Sequence, residues 1–150
     1  MQLIIKKTTS SPVEQRGLSL LEVLVTIVIL SLGILGVAGL QNAALRNAHS
    51  ALLHAQAAQY AYDIIDRMRA NRAEAVAGNY NRTLTPASTE ITGTSLVERD
   101  QREWFLELRS LPDAQGEISV TAEGDVRVTV QWSEAAIGGS TAEFVIKTRI

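Results

Sequence analysis

The hydrophobic and polar positions divide the chain into an apolar first segment and a patterned remainder. Residues 18–40 read LSLLEVLVTIVILSLGILGVAGL, in which Glu22 is the only charged side chain. An α-helix of this length would measure about 35 Å at a rise of ~1.5 Å per residue, enough to cross a bilayer core of roughly 30 Å. The pattern therefore predicts a membrane-spanning helix near the N-terminus.

Helical spacing continues beyond this apolar segment. From Gln41 to Arg72 the chain is rich in alanine and contains neither glycine nor proline. Apolar residues recur there at steps of three or four, which is typical of an amphipathic helix: Ala51, Ala55, Ala58, Tyr62 and Ile65. We predict one long helix from about Leu18 to about Ala75 that stops near Gly78, with its second half packed on a small head.

The middle of the chain changes character twice. Residues 78–95 are rich in Gly, Asn, Thr and Ser, and are predicted to form a loop. The segment Leu96–Leu111 then predicts a short second helix that ends before Pro112. Its apolar side holds Val97, Trp104, Leu108 and Leu111, and the charged residues Glu98, Asp100, Arg102 and Glu103 are expected mostly elsewhere.

Alternating apolar and polar residues fill the C-terminal part. Residues 118–122 and 126–132 alternate and predict two strands joined by the turn Glu123-Gly124-Asp125. A third strand, Phe144–Ile150, follows a loop that contains Gly138 and Gly139. The predicted fold class is α+β: a long N-terminal helix packed on an antiparallel sheet of about three strands, with one face of the sheet in water.

Composition and charge exclude several kinds of function. The formal charge is −2, so no basic surface indicates nucleic-acid binding. The absence of cysteine excludes disulfides and thiol nucleophiles. His49 and His54 are five residues apart, which is not the spacing of a helical metal pair, and we expect both on the surface. We expect no cofactor, no bound metal, no small-molecule substrate and no enzymatic activity.

Two acidic residues lie near the end of the long helix, where a pair of carboxylates can serve in acid–base catalysis. Asp63 and Asp66 share a helix face, but Arg67 and Arg69 lie beside them. These neighbours predict ion pairing rather than catalysis.

The residues before the apolar segment indicate its orientation. Lys6, Lys7 and Arg16 precede it, which favours a cytoplasmic N-terminus and an exported head. An ordinary signal peptide fits poorly, because the apolar segment runs on into a long helix. An ordinary membrane anchor leaves Glu22 unexplained, since a carboxylate in the span costs on the order of 2.5–3.5 kcal/mol. Either Glu22 reaches the membrane surface or it has a partner.

The junction Arg16–Val25, with sequence RGLSLLEVLV, resembles the leader junction of type IV prepilins and pseudopilins. The resemblance implies that a membrane peptidase cuts after Gly17 and methylates the new N-terminal amine of Leu18. It also implies that Glu22, the fifth mature residue, pairs with the N-terminal amine of a neighbouring subunit during assembly. The first mature residue of this family is usually phenylalanine, and this chain has leucine there.

A second resemblance covers much of the head. The stretch Tyr62–Arg72 with Gly78 and Tyr80 is similar to minor pilins of the PilV type, as are Trp104, Leu111-Pro112 and the strand ending at Trp132. It implies a structural subunit that supports initiation and assembly of a type IV pilus. Its partners would be the prepilin peptidase, other minor pilins and the major pilin, first in the bacterial inner membrane and then in the pilus at the cell surface.

The resemblance divides the chain into three parts: a leader at 1–17, a transmembrane or filament-core helix at 18–45, and a periplasmic head at 46–150. Three alternatives stay open: a minor pseudopilin of type II secretion, an adhesive subunit at the tip, and a membrane-anchored enzyme that retains residues 1–17. Two interpretations also remain for Gly33, Gly36 and Gly39, namely close packing against other membrane helices, or a helix that loosens on leaving the bilayer.

Overall fold

The computed structural model describes residues 19–150. Helix α1 spans Leu20–Ala70, and the short helix α2 spans Arg72–Val76. Residue contacts divide the chain into two units, with the boundary between Asn42 and Ala43. The first unit contains the apolar part of α1, and the second contains the rest of α1 with all of the remaining elements, here called the head.

The ends of α1 are fixed by local hydrogen bonds and backbone angles. At the start, Ser19 Oγ accepts the amide hydrogen of Leu21 at 3.3 Å, and its carbonyl accepts that of Glu22 at 2.9 Å. At the end, Asn71 leaves the helical region with φ −119° and ψ 48°. The single helix predicted to about Ala75 is therefore interrupted once, at Asn71. Gly78, with φ +82°, follows α2 in the left-handed region that favours glycine.

Helix α3 spans Leu96–Leu108 and begins with a capping box. Ser95 Oγ accepts the amide hydrogen of Glu98 at 3.2 Å, while a Glu98 carboxylate oxygen accepts that of Ser95 at 3.0 Å. The helix ends three residues before the predicted Leu111. Leu111 is nevertheless buried, as predicted, because its amide donates to the Leu108 carbonyl at 3.0 Å and keeps the turn closed.

Four antiparallel strands form one sheet in the order β1-β2-β3-β4. They are β1 Arg82–Pro86, β2 Gln115–Val120, β3 Asp125–Ser133 and β4 Thr141–Arg149. The predicted α+β, pilin-like arrangement of a long apolar helix and an antiparallel sheet is confirmed. The strand count is four rather than about three.

The additional strand, β1, lies in the segment that was predicted to be a loop. Its polar residues show no clean alternation, and its pairing with β2 contains an irregularity between Arg82 and Thr85. The preceding residue, Asn81, attaches the segment to the sheet. Its Oδ1 accepts the amide hydrogen of Val120 at 2.6 Å, and its Nδ2 donates to the Val120 carbonyl at 3.2 Å. The Asn81 side chain therefore bonds to the backbone of β2 as a neighbouring strand would, and the segment pairs with the sheet although its composition is that of a loop.

The β2–β3 hairpin turns where the sequence predicts it. The Thr121 amide donates to the Asp125 carbonyl at 2.9 Å, and Gly124 has φ +86°. Ala122 was predicted to lie at the end of the first strand of this hairpin, but β2 ends at Val120 and Ala122 is exposed in the turn. Strand β4 begins at Thr141, earlier than the predicted Phe144.

The inner face of the sheet carries the core, and the outer face carries exposed Arg127, Glu143 and Lys147, so one face of the sheet is in water as predicted. Helix α3 packs tightly on β2 at Gly116, where an added Cβ would lie 2.6 Å from Trp104 Cη2. One hydrophobic cluster unites side chains of α1, α3 and the sheet. Its largest fully buried members are Trp104, Trp132, Tyr80, Phe105, Ile64, Ile65, Met68 and Leu108.

The buried face of α1 in the head differs from the stripe that the sequence indicated. Ala51, Ala55 and Tyr62 are exposed, while Ala58 is half-buried and Ile65 is buried. The residues that enter the core are Leu53, Ala57, Ala61, Ile64, Ile65 and Met68. Because alanine makes this segment apolar on more than one side, spacing alone did not identify the inner face, and the larger aliphatic side chains take it.

Candidate functional site

The first part of α1 exposes its apolar side chains. Residues 20–40 are here called the anchor segment. All fourteen of its Val, Leu and Ile residues are at least 41% exposed. By length and composition, α1 is the one helix in residues 19–150 that would cross a membrane. At ~1.5 Å per residue the anchor segment is about 30 Å long, which matches a bilayer core.

The uncharged polar side chains of the anchor segment bond to its own backbone. Thr26 Oγ1 donates to the Glu22 carbonyl at 2.7 Å, and Ser31 Oγ donates to the Ile27 carbonyl at 2.7 Å. These bonds satisfy the hydroxyls without water, which suits a helix in an apolar medium.

Glu22 is the exception in the anchor segment. Within residues 19–150, its carboxylate takes part in no hydrogen bond and no salt bridge. As an acid in the first turn of α1, it is favoured by the positive end of the helix dipole, which is worth less than about 1 kcal/mol. The charge therefore needs a further partner in an apolar medium. Gly17 and Leu18, the predicted cleavage and methylation residues, lie outside the described residues.

The head contains a charged cluster centred on Arg67 of α1. Its Nε contacts Asp63 Oδ2 at 2.7 Å, its Nη2 contacts Glu107 Oε1 at 3.4 Å, and its Nη1 contacts both Glu103 and Asp100. One guanidinium thus joins α1 to three carboxylates of α3. Burial by itself would lower the pKa of Arg67, but hydrogen bonds to Glu103 and Asp63 outweigh it and raise that pKa above its ordinary value.

Two carboxylates around Arg67 have pKa values shifted in opposite directions. The hydrogen bond from Arg67 holds the pKa of Glu103 below its ordinary value. Burial, together with the charge of Asp63, raises the pKa of Glu107. The predicted ion pairing is confirmed for Asp63 and also for Asp66, since Arg69 Nη1 lies 2.8 Å from Asp66 Oδ1. The contacts of Arg67 with Asp100, Glu103 and Glu107 connect α1 to α3, whereas the Arg67–Asp63 and Arg69–Asp66 pairs lie within α1.

A second polar network lies inside the core, next to the Arg67 cluster. The Tyr80 hydroxyl donates to Asp100 Oδ2 at 2.6 Å and accepts from Asn71 Nδ2 at 3.3 Å. Gln101 Nε2 donates to the Tyr80 carbonyl at 3.0 Å, and Gln101 Oε1 accepts from Arg82 Nη2 at 2.7 Å. Burial, with the Asp100 hydrogen bond, raises the pKa of Tyr80 to about 12. The network ties α3 to the segments on both sides of Gly78.

The β3–β4 loop is held to α1 by Glu134. Its Oε1 accepts from Ser50 Oγ at 2.9 Å and from Trp132 Nε1 at 3.2 Å, and lies 4.0 Å from His54 Nε2. The His54 ring packs edge-on against Trp132 with centroids 4.7 Å apart. Both histidines are exposed, as predicted, and His54 in addition packs on Trp132.

Sequence reasoning missed the buried acid of α3. Asp100 was placed with the charged residues outside the apolar side, yet it is buried beside Gln101. The signal was present, because Val97, Asp100, Trp104 and Leu108 follow steps of three, four and four. A polar residue on that line should have been expected inside, with polar partners.

Comparison with known families returns one match. Residues 14–38 match the family described as the prokaryotic N-terminal methylation motif. No curated protein and no solved structure matches the chain significantly. The motif implies processing by a prepilin peptidase and association with a membrane, and the long apolar helix agrees with a membrane-anchored protein. Over these residues the chain is similar to type IV pilins and pseudopilins, which carry this N-terminal motif.

Proposed function

We propose that this chain is a minor pilin of the type IV pilus, of the PilV type, and that it is a structural subunit needed to initiate or assemble the filament. A prepilin peptidase cuts after Gly17, and the new N-terminus, Leu18, is methylated. The mature chain is anchored in the inner membrane with its head in the periplasm before it enters the pilus. It has no enzymatic activity.

The observation that carries the proposal is the state of Glu22. It is the one charged side chain in an anchor segment whose described hydroxyls are already satisfied, and no group in residues 19–150 reaches its carboxylate. Cleavage after Gly17 would create a cationic amine on Leu18, four residues before Glu22. Between subunits, such an amine and this carboxylate offset each other's cost of burial, and thereby set the position of one helix against the next.

The head supports a structural role in a different way. The stretch that resembles PilV-type pilins contributes Arg67, Asn71 and Tyr80 to the two polar networks. Each of these side chains is bonded to another part of the head, so the stretch acts in folding. This use favours a subunit whose head is shaped for contact with other subunits over one that turns over a substrate.

The test is to isolate the mature protein from cells and determine its N-terminal sequence and mass. The expected product starts at Leu18 and carries one extra methyl group. A Gly17→Ala variant should remain at the precursor mass, while Ser11→Ala, in the leader but away from the junction, should be processed normally. A mature chain that begins at Met1 overturns the proposal and favours a plain membrane anchor.

A deletion strain distinguishes a minor pilin from a minor pseudopilin of type II secretion. Loss of surface pili with normal protein secretion supports a minor pilin. Normal pili with loss of secretion would instead identify a minor pseudopilin of type II secretion, which shares the motif and Glu22. Normal pili with lost attachment would favour an adhesive subunit.

A further inference from the structure

One side of α1 within the head is exposed, uncharged and largely apolar. Leu45, Leu52 and Tyr62 are 72%, 54% and 53% exposed. Between Arg46 and Asp63 the sequence contains no Lys, Arg, Asp or Glu. A helix face in water normally carries charged side chains. This face therefore has the composition of a contact surface.

The exposed residues follow a heptad repeat. Steps of three and four alternate through Leu45, Ala48, Leu52, Ala55, Gln59 and Tyr62, and all six are exposed. These are the a and d positions of a helix that packs along another helix, and they are here called the α1 seam. Four of the six are leucine or alanine, and the alanines at d allow two backbones to approach closely.

The head does not obstruct the α1 seam. With Leu45 as position a, the buried residues Leu53, Ala57, Ala61 and Ile64 fall at b, f, c and f, on the opposite side of the helix. Two copies could therefore join their seams while their heads remain on the outside. The flanking e and g positions between Leu45 and Gln59 are His49, Ala51, Gln56 and Ala58, so identical copies bring no like-charged Lys, Arg, Asp or Glu side chains together there. At the end of the seam, Asp63 at e pairs with Arg67 of its own chain, and Ile65 at g is buried in the head.

We propose that the α1 seam binds the α1 seam of a second copy of this chain, in parallel and in register. The parallel direction follows from the chain's course, because α1 continues from the anchor segment and both copies leave the same membrane in the same direction. Leucine meets leucine and alanine meets alanine in this arrangement. Gln59 meets its counterpart, and a single polar a position of this kind fixes register. The proposal rests on the proposed function only for membrane anchoring.

Single cysteines test the pairing directly, since the chain contains no cysteine. The full chain would be reconstituted in lipid vesicles at high lipid-to-protein ratio and oxidised. Leu52→Cys and Ala55→Cys should form disulfide-linked dimers several-fold more than Asn47→Cys, an exposed position of the same helix off the seam. A disulfide needs Cα atoms within about 7 Å, which only a close in-register pair provides.

A charge in the seam is the second test. Leu52→Glu should abolish dimers in vesicles, whereas Asn47→Glu should leave them unchanged; neither residue is in the core, so both variants should fold. Equal cross-linking at positions 47 and 52, cross-links only between different positions, or a chain that stays monomeric overturns the proposal. None of these measurements depends on cleavage after Gly17, so failure here is distinct from failure of the proposed function.

Discussion

The Tyr80 hydroxyl donates a 2.6 Å hydrogen bond to the Asp100 carboxylate in the interior of the head. Both residues are buried, and Asp100 also lies 3.9 Å from the Arg67 guanidinium. A buried acid is costly unless it has hydrogen-bond and charge partners, and here it has one of each. This relationship joins α1, α3 and the segment after α2 at one point.

The first prediction concerns alkaline pH. Burial and the Asp100 hydrogen bond raise the pKa of Tyr80 from 10.0 to about 12, so the folded chain holds the phenolic proton more tightly than the unfolded chain. The stabilising contribution is complete below pH 10 and is lost as pH rises towards 12, an effect of about 2–3 kcal/mol. Urea unfolding of the full chain in detergent micelles, followed by tryptophan fluorescence, would measure this loss.

Two variants isolate the tyrosine responsible. Tyr80→Phe should remove most of the decrease in unfolding free energy above pH 10, because the titrating group is gone. Tyr62→Phe replaces an exposed tyrosine and should behave like the unsubstituted chain. If Tyr80→Phe kept the full pH dependence, the assignment to Tyr80 would be wrong.

The second prediction concerns Arg67. Arg67→Met should lower the unfolding free energy by about 2–4 kcal/mol, because Asp100 stays buried with less compensation and neighbouring carboxylates then repel one another. Arg69→Met is the matched control, since it removes an exposed pair with Asp66 and an exposed 3.5 Å hydrogen bond to Thr148 Oγ1, and it should cost less than about 1 kcal/mol. Chemical unfolding at neutral pH measures both, and equal losses would contradict the central position of Arg67.

The third prediction concerns the contact of α3 with the sheet at Gly116. Gly116→Ala would place a methyl group 2.6 Å from Trp104 Cη2 and 2.9 Å from Leu108 Cδ1, both buried side chains. Such overpacking should destabilise the head by about 1–3 kcal/mol. Ser119→Ala, at an exposed position of the same strand, should change stability little. A stable Gly116→Ala protein with an unchanged tryptophan spectrum would show that the Trp104 contact is loose.

The fourth prediction follows from the proposed role of Glu22. Glu22→Ala should leave membrane insertion intact and impair entry into filaments, because the anchor segment stays apolar while its partner charge is lost. Thr26→Ala is the control, since that hydroxyl is already bonded within the helix. Immunoblots of sheared pili and of membranes measure the two quantities separately. Normal incorporation of Glu22→Ala chains would refute the role.

The sequence identified the elements whose signals are strong and local. The length of the apolar segment, the β2–β3 turn at Gly124 and the alternation along β3 each reflect a physical requirement of one element, and each prediction is confirmed. The Asp63–Arg67 pair is of the same kind, since its members are one helical turn apart.

The features that sequence reasoning missed depend on contacts between distant residues. Strand β1 exists because Asn81 reaches Val120, and Asp100 is tolerated in the core because Tyr80 and Arg67 reach it. The prediction of which face of α1 is buried was wrong, because an alanine-rich helix has several apolar sides. Which of these sides is covered depends on packing against the rest of the head. The roles of Gly17, Leu18 and Glu22 remain predictions.

The self-bonded hydroxyls of Thr26 and Ser31 have a consequence for movement between environments. Each donates to a carbonyl one turn earlier, so neither hydroxyl needs a hydrogen-bond partner from its surroundings. Lipid tails and the interior of a protein bundle are then nearly equivalent solvents for this stretch of helix. Transfer of the helix between lipid and a protein bundle would then depend mainly on Glu22. Whether its carboxylate has a cationic partner would decide which of the two environments is favoured.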